Sequence, residues 1–231
     1  MASPDPARAP GNTAPISRAD VERIVREVVA THVPNLRRPA APTLVVDASA
    51  RHIHLSLEDL DALFGPGYEL NVFRELYQPG NYAATETVTI IGPRSRLISN
   101  LRILGPLRKQ SQVELAFTDA ISLGLDNLPV RISGNIAGTP GAWIMGPRGI
   151  VELKEGVIRA AIHVHMNPAE ADYYRVKRGD FMKLRVGGEA ATVFQRVHVR
   201  VDPAMQLNVH MDTDEANACG LHLTKDIELI K

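Results

Sequence analysis

The sequence predicts a mostly β protein, two small β-barrels with short capping helices, preceded by an amphipathic helix. Three observations lead there. Gly (17) and Pro (16) are frequent while aromatics make up only 5% of the 231 residues, a composition of many turns and small side chains. Apolar runs are short and broken by Gly-Pro steps, as in ETVTIIGPRSRLISNLRILGP, which reads as strands and turns. Short strands with frequent turns indicate a small barrel, and one motif occurs twice in the chain, so two barrels are expected.

The 26 basic residues balance the 26 acidic ones. That balance argues against a broad electrostatic footprint for nucleic acid or an anionic membrane. Mean hydropathy is −0.08, and no stretch approaches the roughly 18 consecutive apolar residues of a membrane span. Neither nucleic acid nor membrane is therefore an expected partner. The single Cys219 excludes an internal disulfide framework and an all-cysteine zinc site within one chain. Any metal would be held by the 8 histidines and the carboxylates.

Residues 1–15 (MASPDPARAPGNTAP) have no apolar period and read as disordered. Ser17 looks like an N-cap with Asp20 at the capping-box position. From there Val21, Ile24, Val25, Val28 and Val29 recur at i, i+3, i+4, i+7 and i+8, one helical face. Pro34 stops the helix, and residues 34–43 read as a Pro-rich linker. Asp20, Glu22 and Glu27 interrupt any signal-peptide core. The helix either packs on its own domain or serves as a docking peptide whose valine stripe fits a partner's groove.

The repeated motif follows. SARHIHLSLED (49–59) and AAIHVHMNPAE (160–170) each carry His-x-His, as His52 and His54 and as His163 and His165. Each pair is followed by one apolar residue, then an N-cap (Ser56, Asn167), then an acid three residues on (Asp59, Glu170). Pro168 stands at the first helical position, where proline is favoured. Both copies read as strand, His-x-His, helix start. On a strand, residues i and i+2 share a face, so the two imidazoles stand side by side in a geometry suited to one metal ion. One His-x-His can equally be two ordinary polar strand residues; the repetition with the same cap grammar favours ligands.

Catalytic zinc sites usually keep three protein ligands and an open position. The stretches QVELAFTDAISLGL (112–125) and QLNVHMDTDEANACGL (206–221) run alike from Gln through a strand into Thr-Asp and Gly-Leu. Their Glu114 and His210 are the candidate third ligands, a surface strand carboxylate being the alternative for Glu114. His198, in the alternating VFQRVHVRV, reads as an exposed strand histidine, and His32 and His222 have no partner in the pattern. Arg108, six residues before Glu114 in the basic turn after Gly105-Pro106, could hold phosphate or carboxylate bidentately or belong to a solvated turn. GAWIMGPRGIVELKEGV and VKRGDFMKLRVGG continue the strand-and-turn pattern.

The segments SARHIHLSLEDLDALFGPGYEL, GPLRKQSQVEL, GIVELKEGVIRAAIHVHM and HMDTDEANACGL closely resemble the PduL-type phosphate propanoyltransferases (phosphotransacylases) of bacterial microcompartments, over about residues 44–225. The resemblance implies two interlaced β-barrels, one from 41–51 plus 161–231 and the other from 52–160 with a small insertion near 66–86. Two zinc ions would lie between them. His52, His54 and Glu114 would hold one, His163, His165 and His210 the other, and Arg108 would be the catalytic residue that holds phosphate. The implied reaction is reversible transfer of a short acyl group, propanoyl or acetyl, between coenzyme A and phosphate, as in propanediol utilization, by direct phosphate attack. Residues 1–40 become a targeting helix and linker that dock to microcompartment shell or cargo proteins, placing a homodimer in the compartment lumen. One departure stands out: the family often carries Arg directly before the second His-x-His, where this chain has Ile162, with Arg159 nearby. Two other classes compete. His52-x-His54 with Glu58 satisfies a His-x-His-x3-Glu pattern of metal-dependent hydrolases or cupin-like oxygenases, but Glu58 falls past the Ser56 cap, inside a helix. A non-catalytic metal-binding scaffold is the other.

Overall fold

The computed structural model describes residues 17–32 and 41–231. The chain divides into two units, Met1–Ala41 and Pro42–Lys231. In the first, α1 spans Arg18–His32. Its N-terminus is closed as the sequence predicts: Asp20 N donates to Ser17 Oγ at 3.1 Å and Ser17 N donates to Asp20 Oδ2 at 3.2 Å. Arg18–Glu22 and Arg23–Glu27 ion pairs at i, i+4 line the polar side. Val21, Ile24, Val25, Val28 and Val29 are all exposed. The segment 1–15 and the stop at Pro34 lie outside the described residues, as does most of the 34–43 linker.

The second unit runs β1 (Val45–Ser49), β2 (His52–His54), α2 (Leu57–Phe64), β3 (Val72–Glu75), β4 (Tyr82–Ile91), β5 (Leu97–Gly105), β6 (Gln112–Glu114), α3 (Phe117–Leu123), β7 (Val130–Arg131), β8 (Ala142–Met145), β9 (Ile150–Leu153), β10 (Val157–Ala160), β11 (His163–Met166), α4 (Pro168–Tyr174), β12 (Phe181–Val186), β13 (Thr192–Val201), β14 (Asn208–Asp212), α5 (Thr213–Ala218) and β15 (Ile227–Ile230). The strands form two curled half-barrel sheets. One has the order β1-β14-β11-β13-β12-β15; the other has β7-β10-β6-β2-β5-β4-β8-β9, with β3 pairing on β4. The chain is interlaced: β1 lies in the six-stranded sheet with β11–β15, although β2–β10 intervene in sequence.

Each sheet has its own core. Ile53, Leu55, Ile103 and Val113 pack in one, and Val164, Met166, Val199 and Val209 in the other. The residue between each pair of histidines, Ile53 or Val164, is fully buried in its core. Burying such a side chain contributes roughly 1.5–3 kcal/mol, and strand alternation then turns both flanking histidines to the opposite face. Helix caps lock the turn that follows. Ser56 Oγ accepts from Asp59 N at the start of α2, and Asn167 with Glu170 forms a full capping box at the start of α4.

Candidate metal centre

The third-ligand residues arrive by strand pairing. β2 runs antiparallel to β6, which sets His52 directly opposite Glu114 and His54 opposite Gln112. β11 runs antiparallel to β14 in the same register, with His163 opposite His210 and His165 opposite Asn208. The two groups, His52–His54–Glu114 and His163–His165–His210, are the sets of three or more donors that could hold a metal ion among the described residues, and within each the ligand atoms lie within 4.8 Å of one another. Tetrahedral zinc with bonds near 2 Å separates its ligand atoms by about 3.3 Å. One separation in each group lies close to that value: His163 Nε2 to His165 Nε2 is 3.1 Å and His52 Nε2 to Glu114 Oε2 is 3.5 Å.

The backbone sets the tautomers. His52 Nδ1 lies 2.8 Å from Ala50 O, and His163 Nδ1 lies 2.8 Å from Ala161 O. His54 Nδ1 meets Leu104 O at 3.1 Å. A carbonyl only accepts, so each Nδ1 carries the proton and each Nε2 presents its lone pair. Ala50 and Ala161 stand two residues before the first histidine of each copy, so the same local fold orients both. His165 Nδ1 instead meets the Met205 thioether at 3.2 Å. These oriented Nε2 atoms, with one carboxylate, are the donor chemistry of zinc.

Burial dominates the electrostatics. Burial, then the charges of His52 and Arg108, push His54 down to about 2. Burial, then His210 and Arg200, push His165 down to about 3. Burial, then His210 and His165, hold His163 well below its usual value. His210 is lowered by burial, with Asp47 opposing. All four are therefore kept neutral, the state a metal ligand needs. For Glu114 burial raises the pKa, but His52, Ser133, His163 and Arg108 outweigh it and keep the carboxylate ionised. Its interaction with both His52 and His163 places it in the field of both groups.

Arg108 sits in the turn between β5 and β6. Gly105 makes that turn possible: a Cβ there would lie 2.1 Å from Tyr82 Cζ. Arg108 N donates to Leu55 O at 2.8 Å, fixing the turn against the end of β2. The guanidinium donates to His54 Nε2 at 2.7 Å and to Ser133 Oγ at 3.1 Å. Ser133 Oγ in turn donates to Glu114 Oε1 at 2.7 Å, and Gln112 Nε2 donates to the same oxygen at 2.6 Å. Ser133 and Gln112 thus orient the carboxylate; neither stands out in the sequence, although Gln112 heads the very stretch that pairs with 206–221.

The remaining sequence candidates separate cleanly. Glu58 lies on α2, is exposed and belongs to neither group. His198, read as an exposed strand histidine, is half-buried, because β13 pairs it with His163 and Phe181 packs edge-on against it. Ile162 is buried in the core of the six-stranded sheet. In the first copy Arg51 pairs with Asp119 at 2.9 Å. The matching Asp214 instead accepts from Thr118 N at 3.0 Å and Thr118 Oγ1 at 2.6 Å. Arg159 stacks on Phe117 and ion-pairs with Asp212 and, at 2.6 Å, with Glu215. It therefore joins β10 of one sheet to the start of α5 beyond the other.

Among the described residues no helix is long and apolar enough to cross a membrane. Comparison with known proteins bears on what the centre does. A model of the family described as phosphate propanoyltransferase matches residues 45–222. The chain is 52% identical over 227 residues to a phosphate propanoyltransferase of Planctopirus limnophila, covering 94% of this chain and 92% of that one. It is 52% identical over 182 residues to one of Thermotoga maritima, covering 78% and 86%. A third, from Salmonella typhimurium, is 48% identical over 173 residues, covering 74% and 81%.

Proposed function

The chain belongs to the phosphate propanoyltransferase family and is a phosphate acyltransferase, and from that premise we propose that it transfers propanoyl between coenzyme A and phosphate at a centre of two metal ions. The reaction class, acyl transfer between coenzyme A and phosphate, follows from the family. The dinuclear centre is supported chiefly by the matching registers His52–Glu114 and His163–His210, which build one three-donor group in each sheet. Two zinc ions, when bound, supply Lewis acidity at the thioester carbonyl and a soft partner for the departing sulfur.

The protein's own residues do the rest. Arg108 is the catalytic phosphate holder. Its Nη2 donates to His54 Nε2, which places the guanidinium beside the donor atoms that would hold a metal. Arg108 then aims a phosphate oxygen at the thioester carbonyl carbon. The C–O bond forms, the C–S bond breaks, and the proton of hydrogen phosphate goes to the CoA sulfur, giving acyl phosphate and CoA. No acyl-enzyme is needed. Cys219 is buried and burial pushes its thiol up, the opposite of an activated nucleophile.

The exposed apolar stripe of α1, in a unit apart from the catalytic body, supports a role for residues 1–40 as a docking peptide for a microcompartment shell or cargo protein. That would place the enzyme, as a homodimer, in the compartment lumen. The acyl-transfer reading is tested by following CoA release from propanoyl-CoA with and without phosphate and with chelator. Release that needs both phosphate and metal supports it. Release without phosphate marks a hydrolase, and no release marks a scaffold; either overturns it.

A further inference from the structure

The two halves of the centre share one plan, so a position where they differ in chemistry is informative. In the nine-stranded sheet β2 lies parallel to β5, which sets His52 beside Arg102 and carries the alignment on to His54 beside Leu104. In the six-stranded sheet β11 lies parallel to β13, which sets His163 beside His198 and His165 beside Arg200. Arg200 therefore stands where the first half has an apolar leucine. Paired strand positions share a face, and Val197 and Val199 are buried in the core. Arg200 thus lies on the ligand face with His163, His165 and His210.

Arg102 is accounted for: it donates to Ala84 O at 2.9 Å and Thr85 O at 2.7 Å, and its guanidinium stacks on Phe73. Arg200 is half-buried and, among the described residues, its guanidinium has neither a hydrogen bond nor an ion pair. A partly buried cation with no acid in direct contact is unfavourable unless an anion joins it. Burial lowers both Arg200 and Arg108, Glu114 opposes this at each, and Arg200 depresses Arg108 further. The two guanidiniums therefore stand close enough to repel, one from each sheet, with the Glu114 carboxylate acting on both but, among the described residues, ion-paired to neither.

Resting on the acyl-transfer reading above, we propose that Arg200 is a second phosphate-contacting residue, which holds the reacting phosphoryl group from the six-stranded sheet while Arg108 holds it from the nine-stranded sheet. Two guanidiniums converging on one phosphate fix its orientation as well as its charge. Coenzyme A also carries phosphates, but its pantetheine arm holds them far from the sulfur. Arg200 stands beside His165, in the donor group where the proposed transfer takes place.

The test uses the full-length, metal-loaded enzyme with Arg200→Met and Arg200→Lys. Kinetics give KM separately for phosphate and propanoyl-CoA, calorimetry gives phosphate binding, and elemental analysis gives metal content. Arg200→Met should weaken phosphate binding and raise the phosphate KM by about tenfold or more, with the propanoyl-CoA KM within about twofold and metal content unchanged; lysine should restore part of the loss. Unchanged phosphate binding in both variants overturns the role of Arg200 alone. A rise confined to the propanoyl-CoA KM assigns the guanidinium to a CoA phosphate, and metal loss in both variants makes it structural; each overturns the proposal. Wild-type enzyme that releases CoA without phosphate overturns the acyl-transfer reading instead.

Discussion

His52 and Glu114 face each other across the antiparallel pair β2–β6, Nε2 to Oε2 at 3.5 Å. His163 and His210 repeat that opposition across β11–β14. A His-x-His strand thus gains its third donor from the neighbouring strand, in each sheet separately. Two consequences follow: each group can be emptied on its own, and both depend on neutral histidines.

Glu114→Gln and His210→Ala should each lower zinc from two ions per chain to about one. Outer-shell partners of metal ligands typically cost 10–100-fold when mutated, so losing a ligand should reduce phosphate-dependent turnover by at least about 100-fold. Elemental analysis of the purified variants checks this. A variant that keeps both ions shows that the altered side chain is not a ligand.

Acid should destabilise the chelated protein. His54 is held near 2 and His165 near 3, whereas the unfolded chain restores both to about 6.5. Below about pH 6.5 the unfolded chain takes up protons that the folded one refuses, so this stability is complete above that pH and is lost as pH falls. Each histidine adds a slope approaching about 1.4 kcal/mol per pH unit. Urea midpoints of chelated protein at pH 7, 6 and 5 should fall steadily. A flat or rising series would contradict the neutral, buried imidazoles.

Arg159→Met should cost about 3 kcal/mol, the scale of removing one partner from a buried ion pair, because the buried Asp212 and half-buried Glu215 would lose their cation. Urea denaturation measures it. An unchanged midpoint would show that the Arg159 ion pairs add nothing to stability.

Removing residues 1–40 should leave phosphate-dependent turnover intact and abolish encapsulation. Co-purification with shell proteins from a microcompartment-forming host provides the comparison. A truncated chain that is still encapsulated would refute a docking role for α1.

Much of this was legible in the sequence because strand and cap signals are local. Ser17–Asp20, Ser56–Asp59 and Asn167–Glu170 show their caps within four residues, and the alternation around Ile53 and Val164 marks which side chains enter the apolar cores. The pairing of Glu114 with His52 was visible only through the internal repeat, since register is a non-local property. Ser133 lies in a turn 19 residues beyond Glu114, and nothing local ties the two together. His198 read as exposed because VFQRVHVRV alternates; only the neighbouring β11 and Phe181 cover it. Arg200 carries no local signal in VFQRVHVRV; the pairing of β13 with β11 is what sets it beside His165. Gln78 donates to Gln206 O and accepts from Gln206 N across 128 residues, a contact between sheets that no local pattern encodes.

The central claim is that two metal ions, one in each sheet, support acyl transfer to phosphate. Stepwise return of zinc to chelated enzyme, with phosphate-dependent CoA release followed at each step, tests it most directly. Activity should rise until two equivalents per chain have been added and then level off. Full activity in the chelated enzyme, or a plateau at one equivalent, would contradict the claim.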